Sequence, residues 1–236
     1  MRIGLLLPLL AFASAAGAAT AVDRGYSVQD FDRIQVEGPY DVQVRVGPAA
    51  AAHAHGPQSG IDRLQVLVND GTLIVRTDHS NGWGGYPGAA SDGKVTVFVT
   101  TPRLRGVALA GTGDVDVDRI RNGDVQLGLN GSGDITVGTL EADSVGIALS
   151  GSGDVKVAGR AKQGRANLSG SGDLDARALS VQDADISVAG SGDLKLDASR
   201  SAKVTSAGSG DVVVTGSAAC TVHRVGSGDV TCGKGG

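Results

Sequence analysis

The sequence predicts an all-β protein, a right-handed parallel β-helix of about seven coils preceded by an N-terminal β-rich capping region. Three observations carry this. A five-residue phrase, Gly111-Thr112-Gly113-Asp114-Val115, returns from Gly131, Gly151, Gly170, Gly190, Gly208 and Gly226, with first glycines 20, 20, 19, 20, 18 and 18 residues apart. A period near 20 held over half a chain marks a stacked repeat architecture. Apolar and polar residues alternate on both sides of each phrase, as in Leu127, Leu129 and then Ile135-Thr136-Val137, which is the period of half-buried strands. Finally, all aromatic residues (three Phe, three Tyr, one Trp) precede residue 100. The repeats must therefore fill their interior with Val, Leu, Ile and Ala, which suits a narrow, layered core.

In chain order, Arg2, the apolar run Ile3 to Phe12 and the small-residue pattern Ala16-Gly17-Ala18 (or Ala19-Thr20-Ala21) read as an export signal over residues 1–21. The apolar run is too short to span a bilayer. Residues 22–105 read as a β-rich region. Phe31 to Val36 and Tyr40 to Val46 alternate as strands around a tight turn at Gly38-Pro39. Ala49 to Gly60, which contains His53 and His55, reads as a loop. Asn69-Asp70-Gly71 between two strands is a hairpin signal, because Asp-Gly accepts the positive φ of the favoured turns. His79 to Gly93 is a glycine-rich loop carrying Trp83 and Tyr86, and Lys94 to Thr100 is a strand ended by Pro102.

Residues 106–236 form the repeats. Each unit reads as two short strands bent at Gly-Ser-Gly-Asp and a weaker third segment such as Gly138 to Ala142. An antiparallel meander is the rival architecture, but it gives no reason for near-identical side chains at every period. Stacked coils place each type above its own kind, about 4.8 Å apart. Cys220 and Cys232 match core-facing positions of earlier units (Val125 and Val145; Val137 and Val157) and are predicted to pair as a disulfide across the final coil. An exported chain with two cysteines has one intramolecular pairing available.

The net charge of −4 lies wholly in the repeats, which hold 16 acidic and 12 basic residues against nine of each before them. Such a surface has no clustered Lys and Arg to neutralise phosphates, which excludes nucleic acid as the expected partner and gives no purchase on anionic membranes. Membrane insertion after signal cleavage is not expected either, and self-association is left open.

Phe31-Asp32-Arg33-Ile34, Val36-Glu37-Gly38, Tyr40-Asp41-Val42, Asp70-Gly71-Thr72-Leu73, the run Val95 to Leu104 ending Thr101-Pro102-Arg103-Leu104, and the Gly-Ser-Gly-Asp units occur in a specific order. In that order the sequence resembles the putative auto-transporter adhesins with a head GIN domain, from about Phe31 to Cys232. The resemblance implies an exported bacterial β-helical protein of adhesin-like role, periplasmic or extracellular. It brings no catalytic residues with it.

Seven aspartates, Asp114, Asp134, Asp154, Asp173, Asp193, Asp211 and Asp229, would form one column in a β-helix. Carboxylates about 4.8 Å apart repel by roughly 1 kcal/mol in water. Backbone N–H groups at each carboxylate's own glycine turn are the expected relief; a file of Ca²⁺ ions is the sharper alternative, although known glycine- and aspartate-rich calcium repeats have a period of about nine residues. A polysaccharide lyase or hydrolase is the enzymatic alternative. It needs carboxylates at fixed separation or a metal with a base, and the polar face Asp116, Thr136, Lys156, Asp175, Lys195, Val213 and Thr231 changes from coil to coil and holds no such constellation. His223 is a lone surface histidine; His53, His55 and His79 lack ligand spacing. Trp83 and Tyr86 are the candidate contact residues, since exposed aromatics stack on sugar rings or anchor protein partners. The sequence thus points to an exported, non-enzymatic, structural or adhesin-like protein with an envelope polysaccharide or surface protein as partner.

Overall fold

Each coil exists because the alternation is interrupted once per period by a corner where no side chain can stand. In the computed structural model, which describes residues 21–78 and 94–233, the chain forms β1 (Ala21–Tyr26), β2 (Arg33–Gly38), β3 (Asp41–Val46), β4 (Ala51–Pro57), the short helix α1 (Gln58–Arg63), β5 (Leu64–Asn69), β6 (Thr72–Thr77) and β7 (Thr96–Thr101). It continues with β8 (Gly106–Gly111), β9 (Val115–Val117), β10 (Ile120–Gly131), β11 (Ile135–Gly151), β12 (Val155–Gly170), β13 (Leu174–Gly190), β14 (Leu194–Gly208), β15 (Val212–Gly216), β16 (Ala219–Gly226) and β17 (Val230–Cys232). The predicted signal peptide, Ala21 apart, and the loop with His79, Trp83 and Tyr86 lie outside the described residues.

From β8 onward every coil pairs in parallel with the next; equivalent residues stack in register in the runs flanking each corner, and the register shifts in the third segment, between Val137 and Leu140, Lys156 and Gly159, and Ala176 and Ser180. One inward column runs Val36, Leu109, Leu129, Leu149, Leu168, Val188; another runs Val42, Val115, Ile135, Val155, Leu174, Leu194, Val212. All of these are buried. The weak third segment contributes its own inward residues, Ile120, Leu140 and Leu179, each 0% exposed. The fold is the predicted β-helix with about six turns rather than seven, because seven corners, Gly111 to Gly226, enclose six complete periods.

The corner explains its glycines. At Gly151 φ is 129°, a region L side chains rarely enter. At Gly153 the constraint is closeness alone: a Cβ would lie 1.9 Å from the Gly133 carbonyl oxygen of the neighbouring coil. The corners stack backbone on backbone, with Ser152 and Gly153 N–H both donating to the Gly131 carbonyl at 2.9 and 3.2 Å.

The N-terminal region is built differently from the expected cap. β2 and β3, on either side of Gly38-Pro39, do not pair with one another. They pair in parallel with β8 and β9 on one side and with β6 and β7 on the other. Residues 33–46 are therefore a coil of the stack, inserted between the strands β6 and β7 on one side and β8 and β9 on the other, so spatial order departs from chain order. Tyr40 stands where later corners have their second glycine; its hydroxyl lies 3.0 Å from Thr77 Oγ1.

Capping falls to fewer residues. β5 closes β6 and β4 closes β7, both antiparallel, and β1 adds antiparallel to β4. The segment expected to be a loop, Ala49 to Gly60, is mostly β4 followed by the start of α1. Its inward residues Ala52 and Ala54 are too small to give a visible apolar alternation, yet both are buried. α1 departs from the expectation of no helix, and its Ile61 is 0% exposed against the end of the core. The predicted hairpin at Asp70-Gly71 is present, with φ of 47° and 71°.

At the other end Cys220 and Cys232 form the predicted disulfide, with Cα atoms 6.5 Å apart. Cys220 continues the inward column Ala184–Ala202 and Cys232 the column Leu196–Val214, so the bridge crosses the open interior of the last coil. Arg224 occupies the inward column that Leu149 and Val188 fill lower down. Its guanidinium folds over the end to the Gly228 carbonyl and Asp229 Oδ1, both at 3.0 Å. An inward charge on a terminal strand is one way proteins blunt an edge against association.

Candidate functional surface

The aspartate column lies at the surface, and one oxygen of each carboxylate before Asp229 ties neighbouring coils together. The Asp134 N–H donates to Asp114 Oδ1 at 3.1 Å, Asp154 N–H to Asp134 Oδ1 at 2.9 Å, and the series continues through Asp173, Asp193, Asp211 and Asp229. Each carboxylate before Asp229 accepts the N–H of the next coil's aspartate, not one from its own turn as the sequence suggested. The aspartate carbonyl is engaged as well, as where Val155 N–H donates to Asp173 at 2.9 Å. The column also has an unforeseen eighth member: Asp41 Oδ1 accepts from Asp114 N–H at 3.1 Å. Lys94 Nζ bridges Asp41 and Asp114 at 3.3 and 3.5 Å, and the hydrogen bond to Asp41 raises its pKa. Among the described residues no three His, Cys, Asp or Glu side chains converge as a metal site would require.

The described histidines are apart from one another in role. His53 stacks on Phe98 with ring centroids 4.8 Å apart, and His55 Nδ1 lies 2.9 Å from Asp23 Oδ1. His223 lies on exposed β16, in register with Thr205.

The sides of the β-helix are chemically unequal. The run ending at each corner presents small outward residues, Gly128, Ala148, Asn167, Ser187, Thr205 in one column and Asn130, Ser150, Ser169, Ala189 in the next. From Ala110 to Ala189 that face carries no charge. The run following each corner presents the mixed column Asp116, Thr136, Lys156, Asp175, Lys195. Here Arg177 binds Asp175 through Nε at 2.9 Å and Nη2 at 2.6 Å, which holds the Asp175 carboxyl below the usual carboxylate range.

Between these faces lie two adjoining depressions, about 300 and 560 Å³ in volume, separated by the ridge Asp124, Ser144, Gln163, Asp183. The smaller opens because Gly146 interrupts an outward column that reads Gln126, Gly146, Arg165, Asp185. Gln126 lies across the gap, its Oε1 2.3 Å from where a Cβ at residue 146 would stand. The carboxylates lining both depressions are paired with cations. Glu141 meets Arg121 and Arg160 at 3.1 Å each, Asp143 meets Lys162 at 2.7 Å, and Asp185 meets Arg165 at 3.8 Å. The Arg200 guanidinium grips both oxygens of Asp183. Sequence reasoning missed this surface. Its sequence signal is a set of glycines, Gly123, Gly146 and Gly164, inside strands where no corner needs them.

Comparison with known proteins agrees with the architecture. No curated protein matches the sequence. Among solved structures the chain is similar to a putative adhesin from Bacteroides fragilis (TM-score 0.79, 22% identity, covering 90% of this chain and 96% of that one). It is also similar to a putative lipid binding protein from Parabacteroides distasonis (0.70, 18%, 93% and 98%) and to a putative adhesin from Parabacteroides merdae (0.67, 17%, 91% and 97%). At these identities the likeness is one of fold. The model of the family described as putative auto-transporter adhesin, head GIN domain, matches residues 30–218, and the chain belongs to that family.

Proposed function

We propose that this is an exported, non-enzymatic, adhesin-like protein, periplasmic or extracellular, that binds cell-envelope or surface components along the sides of its β-helix. The observation that carries this is the division of polar groups. One oxygen of each corner aspartate before Asp229 is engaged by an inter-coil hydrogen bond that serves the stack, whereas the side depressions gather amide side chains with no partner among the described residues. Ion pairing of the lining carboxylates supports binding over hydrolysis, which needs a protonated carboxyl opposite an ionised one. The interior is filled by columns of buried aliphatic side chains, which supports surface recognition over the sequestration of a lipid suggested by the name of one structural neighbour. No described helix is long and apolar enough to cross a membrane.

The test is to probe the purified mature protein against a glycan array and against envelope extracts. Retention by either is expected; binding to neither would remove the adhesive reading.

A further inference from the structure

We infer that the two side depressions form one binding site for a neutral glycan, with Gln163 at its centre. This rests on the adhesive reading above and names its ligand class. The argument starts from which polar groups are still free. Around the depressions the charges satisfy one another: Arg121 and Arg160 with Glu141, Lys162 with Asp143, Arg200 with Asp183. On the ridge, Ser144 donates to Asp124 and Ser201 to Asp183. The amides are not so engaged. Among the described residues, the side chains of Asn122, Gln126, Gln163 and Gln182, which line the depressions, have no hydrogen-bond partner; Asn130 and Asn167 on the neighbouring face are equally unpaired but line no depression.

An amide offers two N–H donors and a carbonyl acceptor in one plane, which matches the donor and acceptor character of adjacent sugar hydroxyls. An anionic glycan would have to compete for cations already held by carboxylates, and a cationic one for carboxylates already held by cations. A neutral ligand displaces no ion pair. Gly146 lets the Gln126 amide lie across the floor of the smaller depression, where it faces the ligand, because any side chain at 146 would meet that amide. Geometry agrees along the axis: coils repeat at about 4.8 Å, close to the length of one pyranose unit. A linear chain lying along Gln126, Gly146 and Arg165 therefore meets a new coil with each ring.

The experiment titrates the full mature protein with cellohexaose and, separately, with a galacturonic acid hexamer, by calorimetry and saturation-transfer NMR. Cellohexaose is expected to bind at least tenfold more tightly than the uronate. Gln163→Ala, at an exposed position, and Gly146→Ala, whose Cβ would displace the flexible end of Gln126, are each expected to weaken it at least fivefold with unchanged melting temperature. Preference for the uronate, or binding that ignores both variants, would overturn this inference while leaving the adhesive reading in place. Retention by envelope extracts without any binding of cellohexaose would do the same. Failure to bind extracts, arrayed glycans and cellohexaose alike would overturn both.

Discussion

Gly153→Ala puts the stacking of the corners to a quantitative test. The new Cβ would sit 1.9 Å from the Gly133 carbonyl oxygen, 2.9 Å from its carbon and 3.0 Å from the Ser132 carbon. An ordinary carbon–oxygen approach is about 3.3 Å, so the two corners must separate locally by about 1.4 Å. Three inter-coil hydrogen bonds lie in that gap: Ser152 and Gly153 N–H to the Gly131 carbonyl, at 2.9 and 3.2 Å, and Asp154 N–H to Asp134 Oδ1, at 2.9 Å. Stretched that far, none meets hydrogen-bond geometry. At about 1 kcal/mol each, and more for the carboxylate, the loss is about 3–4 kcal/mol. For a chain of this size that is a fall of roughly 10 °C in melting temperature. Urea and thermal unfolding followed by circular dichroism measure it, with Ser152→Ala as an exposed control expected to stay within about 0.5 kcal/mol. Gly153 does not have a positive φ, so close approach alone is being tested. A Gly153→Ala protein as stable as the control would refute the contact between corners.

The aspartate column separates acceptor from charge. Asp154→Asn keeps the oxygen that accepts Asp173 N–H and is expected to hold stability within about 0.5 kcal/mol, whereas Asp154→Ala loses about 1–2 kcal/mol in urea unfolding. Excess EDTA is expected to leave the wild-type melting temperature unchanged; a fall would revive the calcium file. Replacing both Cys220 and Cys232 by alanine removes a closure spanning 12 residues, worth about 2–3 kcal/mol, and hydrogen exchange should quicken in residues 219–232 while the inner coils keep their protection. Because Arg177 lowers the Asp175 pKa, this pair contributes stability above the ordinary carboxylate pKa and loses it as pH falls through the lowered value. NMR titration should find the Asp175 carboxyl below the usual range in the wild type and higher in Arg177→Ala.

Much of the rod was legible because its physics repeats. Every coil demands the same corner, so the phrase from Gly111 to Val230 announces both period and core columns. The cysteine pair followed from the same alignment, since two inward positions of one coil face each other. The first coil was harder to see. Gly38-Pro39-Tyr40-Asp41-Val42 keeps the first glycine, the aspartate and the aliphatic residue of the phrase, but Tyr40 replaces the second glycine. It can do so because its side chain meets Thr77 rather than a stacked corner. Nothing local reveals that β6 and β7 pair on one side of this coil and β8 and β9 on the other, because parallel pairing is a long-range choice. β4 stayed hidden because alanine and histidine alternate too weakly to mark a face. The side depressions stayed hidden for another reason: they arise where neighbouring coils differ, and a reading that aligns coils for likeness passes over such positions.

The central claim, that the repeated corners build the rod and the unrepeated sides bind, can be measured by hydrogen–deuterium exchange of the mature protein with and without a retained envelope polysaccharide. The account predicts new protection along residues 120–126, 141–146 and 160–165, with the Gly-Ser-Gly-Asp corners unchanged. Protection confined to the corners or to the last coil, residues 219–232, would contradict it.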